Sequence, residues 1–260
     1  MTERVAVSFF IIHHSSFIIS SAAFLAGIIN AIAGGGTLLT FPALVWIGRN
    51  PIIANATNTV AIWPAGVSGA LGFRKDVASL QRWLWLLTIP SLLGGAAGAV
   101  LLLHTPEKVF ARIVPILIGG ATVLLAAQEA ITRHLPHHKA TPAWLVFAFT
   151  FQLAVGIYGG YFGAGMGILM LAALGLIGLT DLHQMNGLKN VLGLCINGIA
   201  AIYFIARGAV VWSDVLIMAV FSIAGGFTGA KLAHKLGRGF VRAAVVVIGV
   251  VMTIALALSS

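Results

Sequence analysis

Two glycine-broken apolar stretches, each followed by an asparagine-bearing segment, hold the residue types best suited to bind a ligand in this chain. The first runs from Gly27 through Asn30 and Gly34-Gly35-Gly36 to Thr37, and leads to Asn55, Thr57, Asn58 and Thr59. The second runs from Gly156 through Gly163, Gly165 and Gly167, and leads to Asn186, Lys189 and Asn190. Glycine runs allow backbone conformations closed to other residues and leave amide N–H groups free. A helix restarting after such a run points its positive end at the gap, which makes a pocket for an anion. The candidate substrate-binding residues are therefore Asn30, Gly34, Gly35, Gly36, Thr37, Asn55, Thr57 and Asn58 in the first half, and Gly163, Gly165, Asn186, Lys189 and Asn190 in the second.

Each of these has a plainer alternative. Asn55 or Thr57, and likewise Asn186, can cap the helix that follows. Thr40 can bond back to its own helix. Lys189 can extend its stem to an interface one turn away. Gly94, Gly95, Gly98, Gly225, Gly226 and Gly229 are spaced for close helix packing rather than for a ligand.

The surrounding composition decides the class of protein. Sixty per cent of the 260 residues are hydrophobic (60%) and 8% are charged, with a mean hydropathy of +1.05. That leaves too little polar surface for a soluble fold, so an integral, all-α polytopic membrane protein is expected. Apolar stretches of spanning length lie at 54–73, 83–103, 109–130, 185–206, 212–230 and 240–258, each near the ~20 residues that cross the hydrocarbon. Segments 17–48 and 142–178 are too long for one straight helix and are cut by glycines. They read as re-entrant hairpins, paired spans or broken helices. The apolar N-terminus has only Arg4 as a basic flank and no small-residue cleavage site, so no cleaved signal is expected. Cys195 stands alone, which excludes an intrachain disulfide.

Internal repetition organises the chain. A shift of 129 residues lays Gly27 on Gly156, Gly34 on Gly163 and Gly36 on Gly165, and a further slip of two lays Asn55 on Asn186. The expected layout is a first repeat at 1–131, a polar linker at 132–141 and a second repeat at 142–260. Charge indicates how the repeats are related. If each broken segment returns to the side it entered, one side of the membrane holds nine basic residues (Arg74, Lys75, Arg82, Arg133, Lys139, Lys231, Lys235, Arg238, Arg242) and the other five (Arg4, Arg49, Lys108, Arg112, Arg207). If each segment crosses once, the same charges divide seven and seven. Only the first arrangement gives a positive-inside bias, and it makes the repeats inverted with both termini outside. Inverted repeats whose broken helices meet near the midplane form a transporter architecture, in which alternating access comes from one half moving against the other.

The stretch Gly27 through Phe73 resembles the TauE/SafE family of sulfite and sulfonate exporters. The resemblance rests on Asn30-Ala-Ile-Ala-Gly-Gly-Gly36, Phe41-Pro42, Ala54-Asn-Ala-Thr-Asn-Thr-Val60 and Gly69-Ala-Leu-Gly-Phe-Arg74, and extends in weaker form through the second half. It implies a multi-pass bacterial inner-membrane transporter that moves small sulfur-containing anions, such as sulfite, sulfonates or thiosulfate, outward. In the second half Tyr158, Tyr161 and Met166 stand where the first has Ile29, Ile32 and Thr37.

Other chemistries fit less well. His134-Leu-Pro-His137-His138 has the spacing of a di-iron box, and imidazole is a good iron ligand, but the remaining histidines form no second box and a proline interrupts the cluster. An enzyme is not expected, nor a cofactor. Nucleotide-binding motifs are absent. Cation pathways usually place acids within the bundle. Here Glu3, Asp76, Glu107, Asp181 and Asp214 fall at segment ends, and Glu129 is spaced to pair with Arg133. An anion channel is the remaining alternative. The expected partners are a small anion and the lipid bilayer, with no nucleic acid; a homodimer is compatible with the sequence.

Overall fold

The computed structural model describes residues 2–32, 35–72, 77, 80–133, 142–179, 181–236 and 238–259. Gly34, the His134 cluster and most of the expected linker lie outside them. Ten helices make up the described chain: α1 (Thr2–Ile32), α2 (Thr37–Trp46), α3 (Pro51–Gly72), α4 (Gln81–His104), α5 (Glu107–Arg133), α6 (Pro142–Tyr161), α7 (Met166–Leu176), α8 (Leu182–Ala206), α9 (Trp212–Leu236) and α10 (Arg238–Ser259). No strand occurs among the described residues. The all-α reading follows from the chemistry of the bilayer, where a segment must satisfy its own backbone groups.

Among the described residues, five helices are long and apolar enough to cross a membrane: α4, α5, α8, α9 and α10. The protein is a multi-pass membrane protein. α3 is not among the five; it has 22 residues and carries Asn55, Thr57, Asn58 and Thr59. α2 and α7, of 10 and 11 residues, are too short to cross.

Those short helices turn back on their neighbours. Thr40 of α2 meets Asn58 of α3 across the 47–50 turn. Gly167 of α7 lies against the Lys189 stem of α8, and Gly193 of α8 against Met166 and Met170. α4 and α6 run in the same direction, since Gly94 lies over Leu153–Ile157 and Gly98 over Ile157–Tyr161. α1 packs along α9 at a similar glycine seam, with Gly27 against Ser222 and Gly226 and Gly225 against Phe24. Small residues let backbones approach closely where lipid supplies no hydrophobic drive between helices.

Polar ties fix the α3 and α9 ends. Thr57 Oγ1 accepts from Val211 N at 3.1 Å. Arg49, after α2, donates to both Asp214 carboxylate oxygens at 2.7 and 3.0 Å. Asp214 is 3% exposed, and its hydrogen bond raises the Arg49 pKa further. Glu129, spaced for Arg133 in the sequence, accepts from Arg242 at 2.6 Å.

Removing one partner of a buried ion pair strands the other, at a cost of about 3–5 kcal/mol when both are fully buried. Arg49 is partly exposed, so a smaller loss is expected here. Arg49→Gln should lower the melting temperature in detergent, while Arg49→Gln with Asp214→Asn should recover part of the loss. A double variant as unstable as the sum of the singles would show that the pair contributes nothing as a pair.

Candidate functional site

The two helix breaks meet on one face of α5. Gly35 abuts Leu125, and also Val245 of α10, while Gly165 abuts Ala121. Ala121 and Leu125 are one helical turn apart, about 6 Å along the axis. Phe41 of α2 contacts Phe162 of the second break edge to face, with ring centroids 5.4 Å apart. Gly35 at φ 95° and Gly165 at φ 75° hold left-handed backbone that L-residues other than Asn and Asp rarely adopt.

Side chains complete each break differently. In the first, Asn30 Oδ1 accepts from Gly36 N at 2.8 Å and closes the turn into α2. In the second, the Tyr158 hydroxyl donates to Ala164 O. Asn55 Nδ2 donates to Tyr161 O at 3.0 Å, joining α3 to the last residue of α6. Among the described residues, the N–H groups of Ala164, Gly165 and Gly167 have no hydrogen-bond partner. They open α7 at its positive end. Lys189 passes its stem over Gly167, and its Nζ donates to Asn186 Oδ1 at 2.9 Å.

The capping alternatives are settled by where the helices begin. α3 starts at Pro51, and Asn50 Oδ1 accepts from Ile52 N and Ile53 N. α8 starts at Leu182 with Asp181 as its cap. Asn55, Thr57 and Asn186 thus sit inside helices. Asn58 is 1% exposed and accepts from Thr40 Oγ1 at 2.6 Å. Thr40 Oγ1 also lies 3.2 Å from Gly36 O, so its one hydroxyl proton is divided between that carbonyl and the shorter contact to Asn58.

Not all the candidates converge. Thr57 Oγ1 is engaged by Val211 N at the start of α9. Asn190 is half-buried on α8, and Thr37 and Gly163 are half-buried at the breaks. Gly34 lies outside the described residues. Tyr158, Ala121, Leu125 and Val245 border the breaks and were not among the candidates. The bulky Tyr158 was visible as a departure from the first repeat, but nothing in the sequence marks an alanine, leucine or valine on α5 or α10 as a neighbour of a break.

The site offers backbone N–H groups, amide side chains and one lysine. That set can hold a small anion. Gly165→Val or Gly35→Val should abolish transport while largely sparing insertion, since a branched residue cannot hold this backbone without strain. Wild-type flux from either variant would remove the breaks from the mechanism.

The sequence profile described as Sulfite exporter TauE/SafE matches residues 19–256. The chain is 30% identical over 231 residues to a Haemophilus influenzae protein named "Probable membrane transporter protein", covering 88% of this chain and 89% of that one. It is 29% identical over 232 residues to "Probable membrane transporter protein YfcA" of Escherichia coli, covering 89% and 85%. A Sinorhizobium protein named "Probable membrane transporter protein ORF9" is 29% identical over 242 residues, covering 90% and 89%. No solved structure matches significantly.

Proposed function

Since this chain belongs to the Sulfite exporter TauE/SafE family, we propose that it is a secondary transporter that exports small sulfur-containing anions, sulfite, sulfonates or thiosulfate, across the bacterial inner membrane by alternating access. One observation carries the reading most: two helix breaks from different parts of the chain abut the same turn of α5, and the second presents unpartnered N–H groups beside the Lys189 stem. A tetrahedral or pyramidal oxyanion suits that donor set. The names of the relatives support transport rather than catalysis.

The repeats are inverted in this reading. Helices that turn back at α2 and α7 leave each half with an odd number of net crossings, so the second half enters from the opposite side. Arg49, Lys108 and Arg207 then face the periplasm with both termini, and Arg74, Lys139 and Lys235 face the cytoplasm. An impermeant thiol reagent added outside should label Lys108→Cys and not Lys139→Cys, in a background lacking Cys195. The reverse pattern would overturn the orientation.

Lys189 supplies the counter-charge. An anion 4 Å from a lysine gains about 4 kcal/mol at an effective dielectric of about 20, against about 1 kcal/mol in water. Lys189→Gln keeps reach and hydrogen bonding but loses the charge. It should weaken sulfite and thiosulfate binding by at least about tenfold, roughly 1.4 kcal/mol, without reducing the yield of folded protein. Equal dissociation constants for the variant and the wild type would assign the anion to backbone amides and asparagines alone.

A further inference from the structure

The sequence halves do not pack as two bodies. α1 lies along α9, α4 along α6 and α3 along α8, and each of these seams joins the first half to the second. α4 also packs on α8, and α3 on α9. The glycine seams are backbone-tight: a Cβ on Gly27, Gly98, Gly160 or Gly225 would overlap a carbonyl oxygen of the facing helix. Polar ties strengthen the same eight helices. Trp63 Nε1 donates to Leu194 O at 3.1 Å, Gln152 Nε2 to Ser91 Oγ at 2.8 Å and Asn55 Nδ2 to Tyr161 O at 3.0 Å. Arg49 with Asp214, and Thr57 with Val211, tie α2 and α3 to α9.

α5 and α10, the last helix of each half, pack chiefly on one another. Gly119 meets Thr253 and Gly249 meets Thr122 along their seam, and Glu129 pairs with Arg242 at its end. The contacts described between this pair and the other eight helices are apolar at the breaks and at Phe110. Leu125 and Val245 touch Gly35, Ala121 touches Gly165, and Phe110 meets Tyr161 edge to face with centroids 5.6 Å apart. None of the polar ties named above crosses that boundary. In hydrocarbon, helices are held by close packing and hydrogen bonds between them rather than by apolar burial. A boundary made of apolar side chains is thus the easiest plane along which to slide.

We infer that α5 and α10 form a two-helix panel, that the other eight helices move against it as one body carrying both breaks, and that Ala121, Leu125 and Val245 wall the anion passage on the panel side. The inference rests on the transport reading and deepens it: the moving bodies are not the sequence repeats, and three apolar residues bound the size of the anion.

Distances between spin labels separate the two schemes. With Cys195 replaced by serine, cysteine pairs are placed at lipid-exposed positions: Trp85 with Phe227, Val123 with Ile254, and Val123 with Trp85. The first pair lies within the eight-helix body, the second within the panel, and the third spans the boundary inside one sequence half. In proteoliposomes, saturating sulfite should shift the Val123–Trp85 distance distribution and leave the other two unchanged. A fixed Val123–Trp85 distance with a shifted Trp85–Phe227 distance would overturn the inference and make the halves the moving bodies. No shift in any pair, with no sulfite flux from the wild type, would overturn the transport reading and this inference with it. A disulfide between Gly119→Cys and Thr253→Cys, inside the panel, should leave flux within twofold of the reduced form; complete block would also overturn the inference.

Discussion

A backbone amide in hydrocarbon must find a partner, and this structure depends on how it meets that constraint at two broken helices. Each break frees N–H and C=O groups that an unbroken helix would have paired. Asn30 accepts from Gly36, Tyr158 donates to Ala164 and Asn55 donates to Tyr161. These side chains come from helices that the glycine seams hold in register. What stays open among the described residues is a short set of N–H groups, Gly35 and Thr37 at the first break and Ala164, Gly165 and Gly167 at the second, and in the proposed reading these unmet donors face the anion.

The two breaks divide the work unequally. Asn55 and Asn58 on α3 correspond in the repeat to Asn186 and Lys189 on α8. On the α3 side, Asn58 is buried and satisfied by Thr40, so it rigidifies the hairpin. On the α8 side the equivalent position carries a positive charge next to the opening turn of α7. A lysine beside a helix N-terminus is unfavourable by itself, because both are positive. An anion between them relieves that repulsion, so the ligand is expected to rest nearer the second break than the first.

Much of this was legible in the sequence because glycine and charge carry physical meaning without an alignment. The all-helical membrane class followed from hydropathy, and the family from Asn30–Gly36 and Ala54–Val60. The partners of single side chains were not legible. Asn50 and Asp181, rather than Asn55 and Asn186, cap the helices, because the helices begin a turn earlier than the apolar runs. Glu129 reaches Arg242, 113 positions away, since sequence spacing records only neighbours on one helix. Likewise Ala121 and Leu125 are ordinary apolar residues until the fold brings both breaks to them.

Transport of a sulfur oxyanion is the central claim, and flux tests it most directly. Purified protein in proteoliposomes, loaded with unlabelled sulfite, would be presented with radiolabelled sulfite outside, with and without a pH gradient. The account predicts saturable exchange that unlabelled thiosulfate competes away and that continues without sodium. Label uptake no faster than in protein-free liposomes, or uptake that rises linearly with sulfite and ignores competitors, would contradict it.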